Sequence, residues 1–111
     1  MAPTVWYHVK SLDDARRFYR DTLDFEEVAV DFNERWSHLQ RGGMEIGLAE
    51  GDPQDDGVVA HVDVSDVKAE ADRLRGAGVN VGVVVEIPQG VMRLLDVYDP
   101  DGNRIQLAQE L

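Results

Sequence analysis

The chain has no cysteine, which excludes disulfides, thiolate-bound zinc and a thiol nucleophile. A chain without thiols suits a reducing compartment, and the sequence predicts a cytoplasmic protein. No apolar run approaches the ~20 residues that a membrane span needs. The opening "MAPTVWYHVK" lacks the basic-then-apolar order of a secretory signal, so none is expected. Positive charge is scarce: eleven Lys and Arg stand against twenty-two Asp and Glu, a net charge of −11. Such an acidic protein repels nucleic acid and anionic membranes, which removes both as expected partners. Lys10 and Lys68 are the only lysines. Aromatic residues make up 7% of the chain, so the place of each one carries information.

With 111 residues and 43% hydrophobic content, one domain is expected. "TVWYHV" alternates, with Val5, Tyr7 and Val9 on one side and Thr4, Trp6 and His8 on the other, as in a strand. "SLDDARRFYRDTL" follows, with Ser11 and Asp14 spaced as a capping box and Leu12, Ala15, Phe18, Tyr19 and Leu23 at helical spacing. Strands are expected near 26–32, 35–41 and 44–49, the last two joined by the turn dipeptide Gly42-Gly43. After "EGDPQDDG" the order repeats. "VVAHVDV" reads as a strand, and "SDVKAEADRLRGAG" as a helix closed by Gly76 or Gly78. "VNVGVVVEI", "VMRLLDVY" and "NRIQLAQ" read as three strands. The fold class is therefore α+β, a β-α-β-β-β module written twice: residues 1–49, a linker at 50–57, and residues 58–111. The glycines of "GAGVNVG" follow a helix rather than a strand, so they end that helix and do not cradle a phosphate.

Pleat parity carries faces across the hairpins. A two-residue loop at Gly42-Gly43 pairs Gln40 with Glu45, His38 with Gly47 and Trp36 with Ala49. A three-residue loop at "PDG" pairs Tyr98 with Arg104, Asp96 with Gln106 and Leu94 with Ala108. Met44, Ile46, Leu48, Ile105 and Leu107 then face the helices. The opposite face collects both tryptophans and all three histidines: Trp6, His8, Trp36, His38 and His61, with Glu45, Asp63, Asp96, Tyr98 and Gln106. Aromatic rings and imidazoles on the face away from the core line a ligand cavity or cover a protein interface. Ser37 faces the helices while His38 faces away, which argues against a serine–histidine pair. Arg16, Arg17 and Arg20 read as solvated on an exposed helix face.

"SLDDARRFYRDTLDF", "LRGAGV" and "DPDGNRIQL", set in the repeated module order, resemble the vicinal oxygen chelate superfamily of glyoxalases, extradiol dioxygenases and bleomycin-resistance proteins. The resemblance implies two modules whose sheets curl into a cup with helices on the outer face, in a homodimer. It also implies that family enzymes hold a divalent metal there, through four strand positions that fall on Thr4, Gly47, Val59 and Gln106. Glycine and valine side chains cannot bind a metal, and threonine is a poor ligand. A neutral Gln106 does not transfer protons as a carboxylate would. "WSHLQRGGMEIGLAE" further resembles the bleomycin-resistance branch, whose members bind a drug without catalysis.

Two expectations follow. In the first, the protein is a metal-free binder of an aromatic or cationic small molecule, with no cofactor. Trp6, Trp36 and Tyr98 stack on the ligand, Glu45, Asp63 and Asp96 attract a cation, and His8, His38, His61 and Gln106 line the face. In the alternative, His8, His38 and His61 form a displaced divalent-metal site in a lyase, isomerase or dioxygenase. Three imidazoles suit such an ion, but parity places them on one face and not at one point.

Overall fold

The computed structural model describes residues 4–53, 59–87 and 90–111. Most of the expected linker, residues 54–57, lies outside them, as does Val58 at the start of the second module. The order is β1 (Thr4–Val9), α1 (Leu12–Arg17), a π-helical turn (Phe18–Thr22), β2 (Glu26–Asp31), β3 (Trp36–Arg41) and β4 (Met44–Glu50). The second module follows with β5 (Ala60–Asp63), α2 (Val67–Gly76), β6 (Asn80–Val81), β7 (Val85–Ile87), β8 (Met92–Tyr98) and β9 (Arg104–Glu110). One sheet runs β1-β4-β3-β2 and the other β5-β9-β8-β6, with β7 also paired to β8. In each, the first strand lies parallel to the last, the mark of a module written twice. The sheets curl without closing.

Local chemistry explains the elements. Ser11 caps α1 by accepting the Asp14 N–H at 3.3 Å, and the Glu50 carboxylate accepts the Leu12 N–H at 2.9 Å. Glu50, expected to open the linker, instead ends β4 and pairs with Arg35 at 2.9 Å. Asp66 caps α2 through the Ala69 N–H, and Gly78 leaves that helix at φ +79°. Gly42 and Gly43 take φ +57° and +74°, the pair of positive angles that a two-residue hairpin turn requires.

The core lies on the helix side of both sheets. Tyr7, Val9, Leu39, Ile46 and Leu48 from one sheet, and Val62, Leu95, Val97, Ile105 and Leu107 from the other, are buried with Leu12, Tyr19, Val67 and Leu74. Both hairpin registers agree with parity: His38 opposes Gly47, Trp36 opposes Ala49, Asp96 opposes Gln106 and Tyr98 opposes Arg104.

Three local departures have physical causes. The first helix does not run as one α-helix over 11–23; it widens into a π turn, with Leu23 N–H bonding the Phe18 carbonyl, and both Tyr19 and Leu23 are fully buried. "VNVGVVVEI" is not one strand. Val81 pairs with Val97 and Val85 with Leu94, so four steps on one strand meet three on the other. That bulge switches Val85 to the opposite face. Lastly, Arg16 is not solvated: it grips Glu27 through Nε and Nη2, both at 2.7 Å, and lies 4.9 Å from the Phe32 ring centroid. That guanidinium holds the Glu27 carboxyl below the usual range, helped by the Ser37 hydroxyl at 2.6 Å. Arg17 and Arg20 are exposed as expected.

Polar stitches join the modules. The Tyr7 hydroxyl accepts the Ala60 N–H at 2.8 Å and donates to the Arg104 carbonyl at 2.6 Å. Buried Asp99 accepts N–H bonds from Asp101 and Asn103 on one oxygen, and from the Tyr19 hydroxyl and the Asn103 amide on the other. Burial pushes the Tyr19 hydroxyl well above the ordinary tyrosine range, and the Asp99 charge adds to it. "DPDGN" is thus a turn and an inter-module anchor at once.

Candidate functional site

Strand register arranges the face away from the helices in rows. Across β1, β4 and β3 one row reads Trp6, Gly47, His38. The next toward the C-terminal end of β1 reads His8, Ala49, Trp36, and the one before it Thr4, Glu45, Gln40. Across β5, β9 and β8 the corresponding row reads His61, Gln106, Asp96, followed by Asp63, Ala108, Leu94.

Trp6 determines the character of the first sheet. It is 43% exposed, and its indole lies across Gly47, where a Cβ would stand 2.4–2.7 Å from three indole carbons. Only a residue without a side chain leaves room for the ring. His38 meets both tryptophans, its ring centroid 4.9 Å from Trp6 and 5.5 Å from Trp36, both pairs tilted. Its Nε2 is buried and has no hydrogen-bond partner among the described residues. His8 is half-buried beside Gly51.

Other expected site residues are spread more widely. Glu45 accepts the Thr4 hydroxyl at 3.3 Å and lines a cleft of about 430 Å³ that also holds Asp24, Glu26 and Gln40. His61 and Asp63 are exposed. Asp96 is already paired, with Arg104 Nε at 3.1 Å and the Gln106 amide at 3.3 Å. The charge attributed to Asp96 is therefore largely met by Arg104, a partner that parity reading overlooked. The signal was present, because Arg104 is the diagonal neighbour of Asp96 across the PDG hairpin. Tyr98 does not join the tryptophans. It lines a separate cleft of about 500 Å³ with Phe18, Thr22 and Val79. Ser37 bonds Glu27 on the helix side, away from His38.

A model of the Glyoxalase/Bleomycin resistance protein/Dioxygenase superfamily matches residues 3–107. The chain belongs to that superfamily. Solved structures of similar fold include a superfamily member from Sphaerobacter thermophilus, 23% identical with a TM-score of 0.81 over 99% of this chain and 97% of that one. The fosfomycin resistance protein FosX from Listeria monocytogenes, solved with Mn(II) and sulfate, is 19% identical with a TM-score of 0.80 over 100% and 90%. The bleomycin-binding protein from Streptomyces verticillus, solved with copper(II)-bleomycin, is 22% identical with a TM-score of 0.73 over 96% and 93%. No curated protein matches the chain in sequence.

The side chains of this superfamily member do not fit the divalent metal of the family's enzymes. Gly47 offers no ligand, and the Trp6 indole fills the space beside it. The Thr4 hydroxyl is turned to Glu45 and the Gln106 amide to Asp96. Among the described residues no three His, Asp or Glu side chains could share one ion, so His8, His38 and His61 do not meet within one chain. An indole stands where the resemblance placed a ligand. Among the described residues, too, no helix is long and apolar enough to cross a membrane.

Proposed function

We propose that the protein binds a planar aromatic small molecule, preferably a cation, on the Trp6–His38–Trp36 face, without a metal and without catalysis. One observation carries the reading: the Trp6 indole lies across Gly47, so aromatic surface occupies the point where family enzymes present a metal ligand. Stacking on Trp6 and Trp36 supplies the attraction, each cation–π contact contributing roughly 0.5–2 kcal/mol. Apolar burial supplies the rest of the affinity. Glu45 and Glu26, with no arginine hydrogen-bonded to them among the described residues, and exposed Asp63 bias the face toward positive ligands. Asp96 contributes less because Arg104 neutralises it. The proposed setting is the cytoplasm, in keeping with a chain that forms no disulfide, and the proposed partner is a second copy of the chain.

The test is tryptophan fluorescence against a panel of planar aromatics, cationic and neutral. Quenching that saturates, and that weakens about tenfold in Trp36→Ala, supports the proposal. Absence of quenching across the panel overturns it.

A further inference from the structure

His38 has a buried nitrogen that nothing in the described residues satisfies. Such a group is costly wherever it is shut away from water, and calls for a partner such as a water, an ion or a ligand. The cover over His38 is shallow. Trp6 lies 4.9 Å away, is 43% exposed, and rests on a glycine. Trp36, by contrast, is half-buried within β3, and its ring lies 5.5 Å from the imidazole. The ring contact favours the indole lying closed over His38, while the orphaned nitrogen favours the indole swinging away. The two preferences oppose one another at a single exposed side chain.

We infer that Trp6 is a gate over His38, and that His38 Nε2 is the residue that selects the ligand. When the indole leaves Gly47, the imidazole nitrogen is opened to a hydrogen bond beside the Trp36 ring. The ligand it selects is a planar aromatic bearing a hydrogen-bonding group on its edge, and bare hydrocarbon rings are discriminated against. The selection rests on the aromatic-binder reading, whereas the gate does not.

The gate is tested without any ligand, by carbethoxylation with diethyl pyrocarbonate and mass-spectrometric mapping of each histidine. Exposed His61 serves as the internal reference in every sample. In wild type His38 reacts far more slowly than His61. In Trp6→Ala its rate rises about tenfold or more while that of His61 stays the same. Gly47→Ala gives the same acceleration, because its methyl group displaces the indole. Each variant is read only where circular dichroism matches wild type. Unchanged His38 rates in the folded variants, or a wild-type rate equal to that of His61, overturn the gate. Selection is tested by titrating 9-aminoacridine into wild type, His38→Phe and His38→Gln. A loss of about tenfold in the Phe variant with partial recovery in the Gln variant supports it. Equal affinities overturn it. Failure of 9-aminoacridine to bind wild type overturns the selection, while the ligand panel decides the proposed function and the histidine rates decide the gate.

Discussion

The Tyr7 hydroxyl stands between the Ala60 N–H and the Arg104 carbonyl, at 2.8 and 2.6 Å. The β5–β9 ladder continues beyond this point with Val64 N–H bonding the Ala108 carbonyl at 2.9 Å. Stepping back two residues at a time, the next parallel rungs fall at Val62 and at Ala60, where a hydroxyl from the other module has been inserted. Tyr7 therefore joins the modules by completing a backbone bond that the second sheet leaves open. Tyr7→Phe removes the relay and leaves a buried N–H and a carbonyl facing each other through a gap. The expected loss is about 1–3 kcal/mol in urea unfolding with an unchanged m-value, since the fold is kept and only its stability falls.

Acid stability should depend on Glu27. The Arg16 hydrogen bonds lower its folded pKa, so its contribution is complete above the unfolded glutamate value of about 4.3 and is lost as pH falls through the folded value. Glu27→Gln is expected to be less stable than wild type by about 1–3 kcal/mol at neutral pH. The difference should shrink steadily below about pH 4. Chemical unfolding at a series of pH values reads both curves.

Arg104 restrains the Asp96 charge on the open face. Arg104→Gln frees that carboxylate, and the affinity for a planar cation is expected to rise about two- to fivefold, an effect weakened by salt. Titration of the variant at low and high ionic strength measures it.

Much of this architecture can be read from residues alone, because short loops leave strands little freedom. Gly42-Gly43 and "PDG" each set a register, and with it the facing of Trp36, His38, Asp96 and Gln106. Where one extra residue enters a strand, parity fails. Val28 stands at a register shift in β2, and the stretch from Gly82 to Val84 does the same between β6 and β7. Val28 carries no distinctive signal, whereas Gly82 inside a strand pattern is itself the mark of a bulge. The π turn is hidden as well: its apolar spacing also suits an ordinary helix, and tertiary packing of Tyr19 and Leu23 decides.

The candidate site divides along the same line. Shared face is a local property, and the histidines and tryptophans do share it. Distance along that face depends on strand order, so His38 meets both tryptophans while Tyr98 lines another cleft and His61 stands apart. The use of Gly47 is also tertiary. In sequence it reads as a missing metal ligand, and in the structure it is the space that Trp6 occupies.

Metal-free binding of an aromatic ligand on tryptophan is the proposal on which the rest depends. The most direct measurement is a fluorescence titration of chelator-treated protein with a planar aromatic cation, repeated after addition of Mn(II) or Zn(II). Saturable quenching with the same Kd in all three samples is the expected result. Quenching that appears only when the metal is restored would contradict it.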